Sequence, residues 1–182
     1  MAATTLLTVE EFLKMPMKEG IKYELVHGQV VETNVMGTAR RFHERVKANC
    51  IRLLVAYILQ HPLGEVFSET AFMLTEDLMC IPDISVIRQD RLGGDQNTLY
   101  EGSPALAIEV VSSDAAADLE RKIEDYLAYG SQEAWVVYPE QKVIRTYRRD
   151  GHSILFKGDD RVEAADVLPG FSIPASDFFA GI

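Results

Sequence analysis

Ala105-Leu106-Ala107-Ile108-Glu109-Val110-Val111 is an apolar run broken by a single acid, Glu109. Its apolar residues occupy both sets of alternating positions, which is typical of a strand covered on both faces of a sheet. Burying an ionised carboxylate without a partner costs several kcal/mol, so Glu109 needs a cation or a set of hydrogen-bond donors. The run therefore predicts a central strand of an α/β fold that carries a partnered acid.

A second acid lies in a similar context upstream, in Cys80-Ile81-Pro82-Asp83-Ile84-Ser85-Val86-Ile87. Asp83 follows a proline, and proline is tolerated at the first residue of a strand. Taken alone, Pro82-Asp83 is an ordinary way to enter a strand. Together with Glu109, however, it suggests two carboxylates that share one cation.

A helix is predicted after Glu109, and it ends at Tyr129 because Gly130 suits the position that follows a helix. Its candidate N-caps are Ser112, Ser113 and Asp114. Its buried side is marked at helical spacing by Leu119, Ile123 and Tyr126. Lys122 lies next to that side, so its ammonium group can turn inward toward the carboxylates.

These residues are the right types for a site that binds a hard divalent cation such as Mg²⁺ or Mn²⁺. Such ions take oxygen ligands, which Asp83, Glu109 and the carbonyl group of Val110 can supply. A bound ion would lower the pKa of a water molecule and offset charge on a scissile phosphate. Lys122 would then orient the water or stabilise developing charge, while Glu24 could bind a second cation or assist as a base.

Turn and capping signals divide the rest of the chain into helices and strands. Thr8 and Glu11 form a capping box that opens a short helix, which Pro16 helps to close. His27-Gly28 forms a tight turn between two apolar runs, which predicts an N-terminal hairpin. The other predicted elements are a helix over residues 38 to about 61, a strand over 65–74, a loop over 89–103, a strand over 133–138, and a hairpin of 142–148 with 152–156.

Length and composition suit one domain over residues 1–182, and predicted strands around two helices indicate an α/β class with a mixed sheet. The formal net charge of −10 counts against tight nonspecific attraction to nucleic acid phosphates, although basic residues cluster between Arg40 and Arg52.

Cys50 and Cys80 have no zinc-site spacing and give no disulfide framework, so we expect a reducing cytoplasmic environment. No stretch is long and apolar enough to predict a signal peptide or a membrane span.

The order and spacing of several motifs resemble the PD-(D/E)xK restriction-endonuclease-like superfamily, and within it the bacterial Uma family of endonucleases. The likeness covers nearly the whole chain. The motifs that carry it are Tyr23-Glu24-Leu25-Val26 with Gly28, His43, Pro82-Asp83, Glu109-Val110-Val111-Ser112, Lys122 with Tyr126, Gly130 with Trp135, and Leu168-Pro169-Gly170-Phe171.

The resemblance implies a restriction-endonuclease-like fold, with a central mixed β-sheet flanked by α-helices and an N-terminal β-hairpin extension. It also implies a metal-dependent endonuclease that acts on DNA, with Asp83 and Glu109 as metal ligands, and a homodimer. The superfamily's lysine usually lies two residues after the second acid, where Val111 stands here; the Uma-like pattern takes it from the next helix, which gives Lys122. Ala134 and Tyr138 also depart from residues that the relatives often carry, away from the metal site.

Each candidate residue also has a structural interpretation. Glu109 could be satisfied by a buried arginine or by backbone donors, and Lys122 could form an exposed helix pair with Asp118. Glu24 could face water on the hairpin, and His43 could be a core histidine. The alternative function is therefore a catalytically inactive nuclease fold that binds DNA or a protein partner, in which case the acids need no metal.

Overall fold

The structure is a computed structural model that describes residues 6–34, 41–95, 97–111 and 116–182. In chain order, its helices are α1 (Val9–Leu13), α2 (Arg41–Ile58), α3 (Ala116–Ala128) and α4 (Ala175–Phe178), with a short 3₁₀ helix at Gln89–Arg91. Its strands are β1 (Ile21–Val26), β2 (Gln29–Asn34), β3 (Gly64–Ser68), β4 (Phe72–Thr75), β5 (Leu78–Cys80), β6 (Ile84–Arg88), β7 (Tyr100–Glu101), β8 (Leu106–Val110), β9 (Glu133–Tyr138), β10 (Val143–Arg148), β11 (Ser153–Lys157), β12 (Arg161–Ala164) and β13 (Leu168–Pro174).

The main sheet has six strands in the order β11-β10-β9-β8-β6-β3. Strand β8 lies inside it, parallel to β9 and antiparallel to β6, and all of its residues are buried. One face of β8 packs with α2 and α4 through Ile108 and Val110, whereas Ala107 faces the core that contains Ile123 and Tyr126 of α3. The predicted central mixed sheet flanked by helices is confirmed.

The predicted N-terminal hairpin belongs to a second sheet, of five strands in the order β2-β1-β5-β4-β7. Its two-residue turn places His27 at φ 47° and Gly28 at φ 75°, which is the pattern of a type I′ turn. Strand β1 pairs with β5 at Leu25 and Met79, and this pairing brings Glu24 toward the start of β6. The capping box at Thr8 and Glu11 is also present.

The single strand predicted over residues 65–74 is wrong. The segment forms two strands in different sheets, because β3 pairs with β6 while β4 pairs with β5 and β7. Between them Glu69 adopts φ 52°, which no continuous strand can include. The predicted helix start near residue 38 and the N-cap candidates Ser112, Ser113 and Asp114 lie outside the described residues.

Candidate functional site

Three carboxylates from distant parts of the chain converge at the carboxyl end of β8. Glu24 comes from β1, Asp83 from the bend before β6, and Glu109 from β8 itself. Glu24 and Glu109 are 4% and 7% exposed, so both acids are buried. The prediction that Glu24 could face water is therefore wrong. The free-energy cost of removing these carboxylates from water has to be offset by partners within the site.

Lys122 of α3 is the cation that joins two of these acids. Its Nζ lies 2.9 Å from Oε1 of Glu24 and 3.3 Å from Oε1 of Glu109. The alternative pairing with Asp118 is not found, because Asp118 lies 3.8 Å from Arg121 instead. Burial alone lowers the pKa of Lys122, but the carboxylates of Glu109 and Glu24 outweigh burial and raise it, so Lys122 is charged.

Tyr126, one turn after Lys122 on α3, donates a hydrogen bond from its hydroxyl to Oε1 of Glu109 at 2.8 Å. Burial raises the pKa of Glu109, and Asp83 adds to that effect, whereas Lys122 and Tyr126 oppose it. Glu109 is thus satisfied by a lysine and a tyrosine, not by the buried arginine or backbone donors considered from the sequence. A buried acid whose ionisation depends on specific cations is typical of functional sites.

Asp83 is held against the strand that carries Glu109. Its Oδ2 accepts a hydrogen bond from the backbone N–H of Val110 at 2.8 Å. The carbonyl oxygen of Val110 lies 2.8 Å from Nε2 of His43 on α2. The end of β8 is therefore fixed on one side by Asp83 and on the other by His43, which has the hydrogen-bond partner expected of a core histidine.

Glu24 connects the hairpin to this cluster through the backbone. Its Oε1 accepts a hydrogen bond from the N–H of Ile81 at 2.8 Å as well as the contact from Lys122. Because Ile81 precedes Pro82-Asp83 directly, Glu24 positions both the bend that presents Asp83 and the ammonium group of Lys122. Through these two contacts Glu24 links β1 to the segment before β6 and to α3.

The site is extended by Lys47 of α2 and by Glu69, which no sequence motif had marked as site residues. Nζ of Lys47 lies 2.7 Å from Oε1 of Glu69 and 3.8 Å from Oδ1 of Asp83. Lys47 belongs to the basic cluster between Arg40 and Arg52, yet it is only 8% exposed. Its position three residues before the buried Cys50 was the available signal that it faces inward.

The carboxylate oxygens at the end of β8 suit a divalent cation that prefers oxygen ligands. Within the part of the chain that the structure describes, no group of three or more His, Cys, Asp or Glu side chains is arranged to hold a metal ion. Mg²⁺, however, commonly uses only one or two carboxylates and fills the remaining positions with water and phosphate oxygens. Both hydrogen bonds of the Glu109 carboxylate described above go to Oε1, and that of Asp83 goes to Oδ2. Among the described residues, each acid thus has one oxygen without a hydrogen bond, and Oδ1 of Asp83 lies 3.8 Å from Nζ of Lys47.

The central mixed sheet flanked by helices is the architecture of the restriction-endonuclease-like fold. A model of the Uma2 family, described as putative restriction endonucleases, matches residues 9–176. The chain belongs to this family, as its sequence motifs predicted.

A solved structure has the same fold: that of a putative nuclease belonging to DUF820 from Anabaena variabilis ATCC 29413. The two agree with a TM-score of 0.81 at 22% sequence identity, over 96% of this chain and 98% of that chain. The search of curated proteins found no match. Among the described residues, no helix has both the length and the apolar character needed to span a membrane.

Proposed function

We propose that the protein is an endonuclease that hydrolyses DNA phosphodiester bonds with Mg²⁺ or Mn²⁺ as cofactor. Asp83 and Glu109 hold the metal, together with the carbonyl group of Val110. When bound, the metal lowers the pKa of a water molecule and offsets charge on the phosphate. The observation that carries the proposal is the convergence of Asp83, Glu109 and Lys122 from three separate segments on one end of β8.

Lys122 acts on the attacking water and on the charge that develops on the phosphate. An ammonium group has three N–H donors. Two of them point to Glu24 and Glu109, at 2.9 and 3.3 Å, which fixes the direction of the third. A cation held by two acids is oriented before the substrate arrives, and such preorganisation is the main source of electrostatic catalysis. Glu24 contributes by holding Lys122.

The test measures metal binding and DNA cleavage in the same buffers. Wild type and the double variant Asp83→Ala/Glu109→Ala are titrated with Mg²⁺ and Mn²⁺ by calorimetry, and cleavage of supercoiled plasmid is followed. We expect binding and cleavage in wild type and neither in the double variant. Glu124→Ala, which removes an exposed acid of α3, is the matched control and should behave as wild type.

Single variants test the separate roles. Asp83→Ala, Glu109→Ala and Lys122→Ala should each abolish cutting without unfolding the protein, and circular dichroism checks the fold. Lys122→Ala should retain metal binding, because Lys122 is not a ligand. Cutting retained by all three variants would exclude this site as the catalytic centre.

One observation favours a second candidate function, a catalytically inactive module that binds DNA or a protein. Lys122 already pairs with both Glu24 and Glu109, so each of these buried acids has a cationic partner without a metal. In that case neither wild type nor the double variant binds Mg²⁺. Replacing the acids would leave partner binding unchanged, and replacing a buried ionic cluster as a whole by apolar residues is often neutral or stabilising.

We also propose that the protein is a homodimer, as its family resemblance implies. Strand β11 supports this proposal because it lies at an edge of the six-stranded sheet, and its Ile154 and Leu155 are each 46% exposed. An exposed apolar edge strand is suited to pairing with a second chain.

A further inference from the structure

Lys47 is a second lysine at the site, and its surroundings differ from those of Lys122. Its side chain is 11% exposed, whereas the carboxylate that it contacts, Glu69, is 62% exposed. Its distance to Asp83, 3.8 Å, exceeds a hydrogen bond. The ammonium group is therefore largely buried beside the proposed metal ligand and bonded to a partner on the solvent side.

Glu69 adopts an unusual backbone conformation to make this contact. Its φ of 52° lies in the left-handed region, which is unfavourable for residues other than glycine. Its N–H donates to the carbonyl oxygen of Asp83 at 3.2 Å, which fixes the strained residue directly beside the site. Strained backbone of this kind is concentrated at functional sites.

An open cleft of about 270 Å³ lies at the pair, lined by Glu44, Lys47, Ala48, Ile51, Ser68 and Glu69. The cleft reaches the buried ammonium group from solvent. Two carboxylates line it, Glu44 and Glu69, and Glu69 is the one that is bonded to Lys47.

We propose that Lys47 is a substrate-binding residue that contacts a backbone phosphate of the nucleic acid, and that Glu69 is its resting partner, displaced when the phosphate binds. This inference rests on the proposed function, since it places the phosphate beside Asp83. It explains how a chain of net charge −10 has a cation at the site for a polyanion. Because binding has to compete with Glu69, Lys47 discriminates against anions that bind too weakly to displace that carboxylate.

The test is the salt dependence of binding to a short fluorescein-labelled DNA duplex, followed by anisotropy in Ca²⁺ buffer without Mg²⁺. Each phosphate neutralised by a lysine adds about 0.9 to the slope of log affinity against log salt concentration. We expect Lys47→Met to weaken DNA binding and to reduce the magnitude of the slope by about one. Lys47→Arg should keep the wild-type affinity and slope. Glu69→Gln should strengthen binding, because the phosphate no longer competes with a carboxylate.

A matched control pair exists on α1. Nζ of Lys14 lies 2.6 Å from Oε1 of Glu10, but both side chains are exposed, and α1 packs into the core of Tyr23, Leu25 and Met79 and not into that of β8. Lys14→Met and Glu10→Gln make the same changes of charge, and they should leave slope and affinity at the wild-type values. Because Glu69 is exposed, Glu69→Gln also tests the inference if Lys47→Met does not fold.

The outcomes separate this inference from the nuclease proposal. If wild type binds DNA and cuts plasmid but Lys47→Met keeps the wild-type slope, or Glu69→Gln binds no tighter, the role of Lys47 is overturned and the nuclease proposal stands. If the slope depends on Lys47 but wild type with Mg²⁺ does not cut plasmid, the nuclease proposal is overturned and the role of Lys47 in binding phosphate stands. Wild type that binds no DNA overturns both.

Discussion

At the residue scale, the hydroxyl group of Tyr126 is the neutral donor that satisfies Glu109. Tyr126 is fully buried and donates at 2.8 Å. Hydrogen bonds to charged groups contribute about 1.5–3 kcal/mol, and removing one leaves the buried acid with less compensation. We expect Tyr126→Phe to lower the free energy of unfolding by about that amount, measured by urea denaturation.

Tyr129→Phe is the control for this change, because Tyr129 lies just beyond the same helix and is 37% exposed. The free energy of unfolding of Tyr129→Phe should lie within about 0.5 kcal/mol of the wild-type value, as for most surface substitutions. Equal stabilities of the two variants would mean that the Tyr126 hydrogen bond does not stabilise Glu109.

Glu133 makes the stability of the protein depend on pH at a position away from the site. It is fully buried, with Trp135 Nε1 donating to Oε2 at 3.1 Å and Arg148 Nε 3.8 Å from Oε1. Burial raises the pKa of Glu133, against the opposing effects of Trp135 and Arg148. A raised folded-state pKa means that this residue's stabilising contribution is complete below the unfolded-state pKa and is lost as pH rises through the folded-state value.

Glu133→Gln should therefore remove part of the pH dependence. We expect the unfolding free energy of wild type to fall relative to that of the variant as pH rises from acidic to neutral, measured by urea denaturation over a pH series. Parallel curves for the two proteins would show that Glu133 titrates alike in the folded and unfolded states.

Local sequence context explains which of the site residues could be predicted. Glu109 and Asp83 stood out because an acid beside an apolar strand is costly wherever it is buried. Helical spacing allowed Lys122 to turn inward or to pair with Asp118 at the surface, and in the structure it turns inward to Glu109. Lys47 and Glu69 were missed because their pairing depends on how α2 lies against the β3–β4 connection, which no local pattern describes.

At the element scale, the hairpin that carries Glu24 depends on Gly28. A Cβ at Gly28 would lie 2.8 Å from Cβ of Leu6 and 3.2 Å from its Cα, and φ is 75°. At Gly151, by contrast, φ is 85° and a Cβ would meet nothing within 4 Å. Both alanine variants incur backbone strain of about 1–2 kcal/mol, but only Gly28→Ala adds a steric clash of about 1–3 kcal/mol.

We therefore expect Gly28→Ala to unfold at a lower temperature than Gly151→Ala, measured by differential scanning calorimetry of both variants. Plasmid cleavage should also fall in Gly28→Ala, since displacement of β1 moves Glu24 and with it Lys122. Equal melting temperatures would mean that the segment before α1 moves aside freely.

The elements that the sequence predicted best are those with their own turn or cap chemistry. The His27-Gly28 hairpin and the pairing of β10 with β11 were correct because local residues specify them. The division of residues 65–74 between two sheets was missed, because apolar alternation has the same period in either sheet. Partners of a strand are decided by the whole fold.

At the scale of the whole molecule, the site exists only because two sheets meet. Glu24 belongs to the five-stranded sheet and Glu109 to the six-stranded sheet, and Lys122 joins them from α3. The sequence indicated each residue, and the family resemblance placed them together. Nothing local to any one of them specifies that the hairpin folds back beside β6.

The proposed homodimer is a prediction about the molecule's outer edge. Ile154 and Leu155 are exposed on β11, which borders only β10 in the six-stranded sheet, so pairing with a second copy would cover both side chains and the open strand edge. We expect wild type to sediment as a dimer, and Ile154→Lys/Leu155→Lys as a monomer, because lysines on an edge strand oppose strand pairing. Leu59→Lys, which changes an 80% exposed leucine after α2, is the control and should remain a dimer. A monomeric wild type would contradict the dimer itself, whereas a double variant that stays dimeric would place the interface away from β11.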